Sequence, residues 1–130
     1  MNVVGQSARR YRLLIVETDR HSFDEMRQAF LGQGHECEVA LDLETALNIL
    51  DERRMDIAVI NTELAECEDE ELVDRLQERA PGIRLALYNG TTDRARQRRL
   101  RRRGADSYLS EDSDIPAVIR AVQRIIDEKM

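Results

Sequence analysis

A short unbroken apolar run followed by a stretch of helical spacing recurs along this chain, and that rhythm restricts its fold more than any single residue does. Leu13-Leu14-Ile15-Val16 is the first run. A strand apolar at consecutive positions needs cover on both faces, which a parallel sheet flanked by helices supplies. Phe23, Met26, Phe30 and Leu31 follow at helical spacing, and Gly32 and Gly34 end that helix. Cys37 and Val39 alternate with Glu36 and Glu38, the mark of an edge strand, before Asp42 caps a helix with Leu43, Ala46, Leu47 and Leu50 on one face. The third strand, Met55-Asp56-Ile57-Ala58-Val59-Ile60-Asn61, leads to a helix that buries Leu72, Val73 and Leu76. Pro81-Gly82 then turns the chain into Ile83-Arg84-Leu85-Ala86-Leu87, and a fourth helix spans Asp93 to Arg103. Ser107-Tyr108-Leu109-Ser110 is the last strand. Asp114 and Pro116 open a closing helix whose Ile115, Val118, Ile119, Val122 and Ile126 face the core. Right-handed crossovers place such a chain in an α/β doubly wound parallel sheet of order 2-1-3-4-5, with functional loops at the carboxyl ends of the strands.

Length and charge set the class. The chain's 130 residues, 42% of them hydrophobic, support one domain with a single core. A net charge of −6 gives no general affinity for nucleic acid or anionic membrane. No apolar run approaches the roughly 20 residues of a spanning helix and the N-terminus lacks a signal-peptide core, so a cytoplasmic location is expected. Cys37 and Cys67 form no metal-ligand pattern and read as reduced thiols, with no metal or other cofactor expected. His21 and His35 sit in no constellation and read as surface or loop residues. Residues 1–11 read as a flexible tail, and 12–130 as the folded domain.

From Arg12 to Ile126 the chain resembles the receiver domains of two-component response regulators. The resemblance rests on Leu13-Leu14-Ile15-Val16 before an acid and on Gly104-Ala105-Asp106-Ser107-Tyr108-Leu109 near the end. It implies a flavodoxin-like (βα)5 fold and a phosphorylation pocket, yet each reactive position is replaced. Where receivers carry two acids after the first strand, this chain has Glu17 and Thr18, with Asp19 one step beyond. Asn61 stands at the phosphoacceptor position, Tyr88 at the switch Thr or Ser, and Glu111-Asp112 at the Lys-Pro pair. Ala65-Glu66 replaces a Pro-Gly turn, and Asp69 matches a later glycine. Without the proline, the Glu111–Asp112 bond is expected to be trans.

These replacements act together. An amide cannot accept a phosphoryl group, Thr18 and Asn61 remove carboxylates that Mg²⁺ would need, and Glu111 repels phosphate where the family keeps a cation. Glu17 and Glu111 read most simply as solvated loop acids, against residual divalent-ion binding by Glu17, Asp19 and Glu111. Tyr88 is expected to fill the space of the lost cation and phosphate. Tyr108 matches the family's switch aromatic, and with Tyr88 packed inward it is expected to point outward.

The fourth helix holds seven arginines against one acid, which leaves −12 for the rest of the chain. Leu100 is its sole large apolar residue, with Gln97, Arg96 and Arg103 on the same face and Arg94, Arg98, Arg101 and Arg102 pointing away. Three readings stand: a solvated face, a protein-docking face that includes Tyr108, and phosphate or nucleic-acid contact. The last is disfavoured by the acidic net charge and by the absence of interleaved aromatics. Glu63, Glu66, Glu68, Asp69, Glu70 and Glu71 crowd the third βα loop and helix start, where the helix dipole favours acids. A homodimer through the fourth helix, fifth strand and fifth helix would bring such acids, or Asp112 and Asp114, against the arginines of a second copy. The sequence therefore points to a non-enzymatic, phosphorylation-independent receiver-like module that binds a protein partner in bacterial signalling. Two alternatives are a regulator phosphorylated at Asp19 or Asp56, and one contacting nucleic acid through its arginines.

Overall fold

The computed structural model describes residues 9–130; the tail expected over 1–11 falls largely outside them. Five strands, β1 (Arg12–Val16), β2 (Glu36–Ala40), β3 (Ile57–Asn61), β4 (Arg84–Gly90) and β5 (Ser107–Ser110), form one parallel sheet of order β2-β1-β3-β4-β5. The helices α1 (Arg20–Gly32), α2 (Leu43–Glu52), α3 (Asp69–Arg79) and α4 (Arg94–Arg103) fill the four crossovers, and α5 (Ile115–Lys129) follows the last strand. This is the flavodoxin-like arrangement the sequence rhythm implies.

Alternation along the strands sorts the core into two layers. Leu14, Val16, Ala58, Ile60, Leu85, Leu87 and Tyr108 pack with Leu47 and Leu50 of α2, Leu72 and Leu76 of α3, and Leu100 of α4. Leu13, Ile15, Ile57, Val59, Ala86 and Tyr88 pack on the other face with Met26 and Phe30 of α1 and Val118, Val122 and Ile125 of α5. Aspartates set the helix starts: Asp19, Asp42, Asp93 and Asp114 each accept a backbone N–H from the first turn. Because α3 has no side-chain cap, Asp69, Glu70 and Glu71 in its first turn face the positive end of its dipole instead.

Several boundaries and burials differ from the sequence reading. β3 begins at Ile57 rather than Met55, because Asp56 turns its side chain to the Arg12 N–H (2.8 Å). β4 runs on to Gly90, so Tyr88 lies within the strand, opposite Asn61, and not after it. Leu31 is half exposed at the end of α1, beyond the reach of the sheet. Tyr11 belongs to the folded part: its ring lies against that of His35, with centroids 5.5 Å apart. His35 is buried rather than superficial, and its Nδ1 accepts the Tyr11 N–H (3.1 Å). Burial holds the His35 imidazole below its ordinary value. The described peptide bonds are all trans, Glu111–Asp112 included. No helix among the described residues is long and apolar enough to cross a membrane.

Candidate functional site

At the carboxyl ends of β1, β3 and β4 the structure gathers Glu17, Asn61 and Tyr88 into one buried network. Glu17 is only 4% exposed, which corrects its reading as a solvated loop acid. A buried carboxylate needs hydrogen-bond donors, and this one has four. Its Oε2 accepts the Thr18 N–H (2.8 Å) and the Asp19 N–H (3.0 Å). Its Oε1 accepts the Tyr88 hydroxyl (2.5 Å) and the Asn61 amide (3.2 Å). Burial first, and then this bond to Glu17, raises the Tyr88 hydroxyl well above its usual range.

The two ends of the Asn61 amide face opposite chemistry. Nδ2 points at the acceptor Glu17, while Oδ1 accepts the Glu63 N–H (3.0 Å) and the Asn89 Nδ2 (3.3 Å). Reversing the amide would set oxygen against carboxylate and N–H against N–H. Asn89 has φ of 63°, a left-handed conformation that asparagine tolerates better than most residues, and its side chain also bonds Glu63. Sequence reasoning missed Asn89; the signal was its place in an Asn-Gly pair after a strand.

The other residues expected in this pocket stand outside the network. The Thr18 side chain is exposed, so Thr18 contributes only its N–H. Asp19 is exposed and caps α1, accepting the Ser22 hydroxyl (2.7 Å) and N–H (3.0 Å), which lower its carboxyl below the usual range. Glu111 is exposed, and its N–H donates to Gly90 O (3.0 Å). Mg²⁺ ligation calls for free carboxylate oxygens. Here the Glu17 oxygens are taken, Asp19 is a cap, and Asn61 offers its oxygen to Glu63 and Asn89, so the residues present do not fit that ion. Among the described residues no group of three or more His, Cys, Asp and Glu side chains could hold a metal.

Tyr108 is 1% exposed, and the expectation that two inward tyrosines exclude each other is overturned. Tyr88 and Tyr108 pack in opposite layers of the core and never compete for one space. Its burial also removes Tyr108 from the expected contact surface. The Tyr108 hydroxyl accepts the Thr91 N–H (2.9 Å) and donates to Asp69; burial, then that bond, push it up to about 12.

The arginine helix has two unlike sides. Toward α3, Arg96 pairs with Glu68 (2.6 Å) and Glu70 (3.1 Å), and Arg103 with Asp74 (2.7 Å). Part of the acidic patch thus meets the arginines within the same chain. Arg99, beside them on the wheel, is exposed on the same side; a backbone hydrogen bond first, and then Arg96 and the charge of Arg99, lower the Glu70 carboxyl. Away from α3, Arg94, Arg98 and Arg102 are exposed, with no carboxylate within ion-pair distance among the described residues. Arg101, expected to point outward, reaches the Tyr108 carbonyl (3.4 Å) on the open edge of β5.

The sequence model of the response regulator receiver domain matches residues 13–123. A search of curated proteins found no match. Among solved structures the chain is similar to a CheY-like response regulator receiver domain protein from Methanospirillum hungatei JF-1, at 22% identity over 92% of this chain and 96% of that one, with a TM-score of 0.76. It is similar to a response regulator protein from Burkholderia pseudomallei with a phosphorylated aspartic acid, calcium ion and citrate, at 17% identity over 91% of this chain and 69% of that one, with a TM-score of 0.71. The beryllofluoride-activated NtrC4 receiver domain dimer aligns at 14% identity over 90% of this chain and 97% of that one, with a TM-score of 0.76. At these identities the likeness to solved structures carries the fold.

Proposed function

We propose that this chain, which belongs to the response regulator receiver domain family of two-component signalling, acts as an interaction module that works without phosphorylation. One observation carries the reading: the Glu17 carboxylate is buried and taken up by Thr18, Asp19, Asn61 and Tyr88, with an amide at the end of β3. Phosphoryl transfer to a side chain needs a nucleophile, a divalent ion and charge compensation. Asn61 removes the first, and the occupied Glu17 oxygens withhold the second. In the Burkholderia pseudomallei structure the phosphate sits on an aspartic acid; Asn61 cannot carry one. Asp19 and Asp56 are poor substitutes, since Asp19 is bound to Ser22 and Asp56 lies at the opposite end of the sheet, on the Arg12 N–H.

The partner-binding face in this reading is the free row Arg94, Arg98 and Arg102, with Arg101 at its margin. A protein partner suits it better than nucleic acid, because Tyr88 and Tyr108 are buried and the half-buried Tyr11 lies against His35, so that among the described residues no exposed tyrosine ring stands beside the arginines for stacking. A second copy of the chain is the other partner considered. The NtrC4 receiver is a dimer, and the exposed Glu111, Asp112 and Asp114 lie between β5 and α5, where the Glu111 N–H donates to Gly90 O at the end of β4. The module is taken to work in the cytoplasm of a bacterium, as a non-enzyme.

Affinity capture from native extract tests this directly. The wild-type chain is expected to retain the same partner with and without a small-molecule phosphodonor, and the Arg94, Arg98, Arg101 and Arg102→Glu variant to lose it. Capture that requires the phosphodonor, or that survives the charge reversal, contradicts the reading.

A further inference from the structure

We propose that Asp69 and Gly90 form a latch that holds Tyr108 in one inward position whatever the state of the Glu17 pocket. Three independent features meet at this ring. The ring lies over Gly90, where a Cβ would overlap the Tyr108 hydroxyl and ring edge, so only glycine leaves the space it occupies. The β4–β5 register shifts between Leu87 and Gly90, a bulge that sets Gly90, and not the residue two beyond Leu87, opposite Ser110. The hydroxyl is used twice, accepting the Thr91 N–H (2.9 Å) and donating to the Asp69 carboxylate. Turning the ring outward would empty the space over Gly90 and leave the Thr91 N–H and one Asp69 oxygen without this partner.

The latch ties together parts that would otherwise move separately. Asp69 opens α3. Thr91 starts the segment from β4 to α4, where its hydroxyl accepts the Asp93 N–H (3.1 Å) and its carbonyl accepts the Gln97 amide (2.9 Å). Through Thr91 the inward ring fixes the cap and first turn of α4, and so the helix that presents the free arginines. None of these contacts uses an atom of Glu17, Asn61 or Tyr88. The inference therefore goes beyond the proposed function: the latch would hold even in a chain whose pocket took phosphate.

The test is the solvent accessibility of Tyr108, read by NMR with a soluble paramagnetic agent on ¹³C-tyrosine-labelled protein; the chain's three tyrosines allow assignment by single Tyr→Phe variants. Tyr108 is expected to be protected in the wild type. Asp69→Ala is expected to raise its outward population about tenfold, the effect of losing one hydrogen bond to a charged group, and Gly90→Ala to expel the ring. A wild-type Tyr108 as accessible as a free tyrosine, or unchanged protection in Asp69→Ala, overturns the latch. If Gly90→Ala does not fold, Asp69→Ala decides alone. Phosphodonor with Mg²⁺ separates the two proposals: phosphate uptake with an unmoved Tyr108 refutes the sealed pocket and leaves the latch standing, whereas uptake with movement of Tyr108 refutes both.

Discussion

The Glu17 pocket and the outer side of α4 treat charge in opposite ways. In the pocket a single carboxylate is buried and surrounded by four donors, two from the loop that follows β1, one from β3 and one from β4. On α4, Arg94, Arg98 and Arg102 stand in solvent with no ion-pair partner among the described residues, although Arg96 and Arg103, which face α3, are paired. Satisfied charge inside a fold is structural, because each group is already used. Unsatisfied charge on a rigid helix remains available to something outside it. In the proposed reading the pocket serves stability and the helix recognition, the reverse of a domain whose signal begins with chemistry at the strand ends.

On that reading, mutations in the pocket cost stability and mutations on α4 cost binding. Glu17→Ala should have the largest effect, because it leaves the Asn61 amide, the Tyr88 hydroxyl and two backbone N–H groups without their acceptor. A loss of about 3 kcal/mol in urea unfolding is expected, given roughly 1–3 kcal/mol per unsatisfied buried group with some relief from entering water. A neutral result would mean that the carboxylate is not held as described. Tyr88→Phe keeps the ring in its layer and removes one donor to Glu17, so a smaller loss of about 2 kcal/mol is expected in the same measurement.

His35 offers a pH-dependent version of the same contrast. Its buried, neutral ring accepts the Tyr11 N–H, and burial lowers its value from 6.5. The unfolded chain then binds the proton more readily than the folded one. Stability from this group is complete above pH 6.5 and falls as pH drops from there through the depressed folded value. Unfolding of the wild type minus that of His35→Gln, followed across this range, should isolate the slope; a flat difference would show the imidazole to be free. The smallest effect on stability is expected from reversing Arg94, Arg98, Arg101 and Arg102 to Glu, since exposed charges are screened. That variant should unfold cooperatively near the wild-type midpoint, and a broad or strongly shifted transition would make the arginines structural.

Much of this was legible in the sequence because periodicity reports burial. The odd and even residues of Leu13–Val16 do separate into the two layers, and Leu100 is the one buried anchor of α4. What the sequence did not reveal depends on which face of the sheet a residue takes and on partners far along the chain. Tyr88 and Tyr108 looked like rivals because strand register was unknown. Glu17 looked solvated because its donors come from residues as distant as Asn61 and Tyr88. Gly90 carries no signal of its own, and its importance appears only once Tyr108 is placed over it.

The central claim, that the pocket is sealed against phosphoryl transfer, is tested most directly by intact-protein mass after incubation with a small-molecule phosphodonor and Mg²⁺, with the Asn61→Asp variant in parallel. Neither protein should gain a phosphoryl group: the wild type lacks a nucleophile, and in the variant Tyr88 still holds the Glu17 carboxylate and no cation stands at Glu111. A stoichiometric gain by the wild type, or robust labelling of Asn61→Asp alone, would contradict the account.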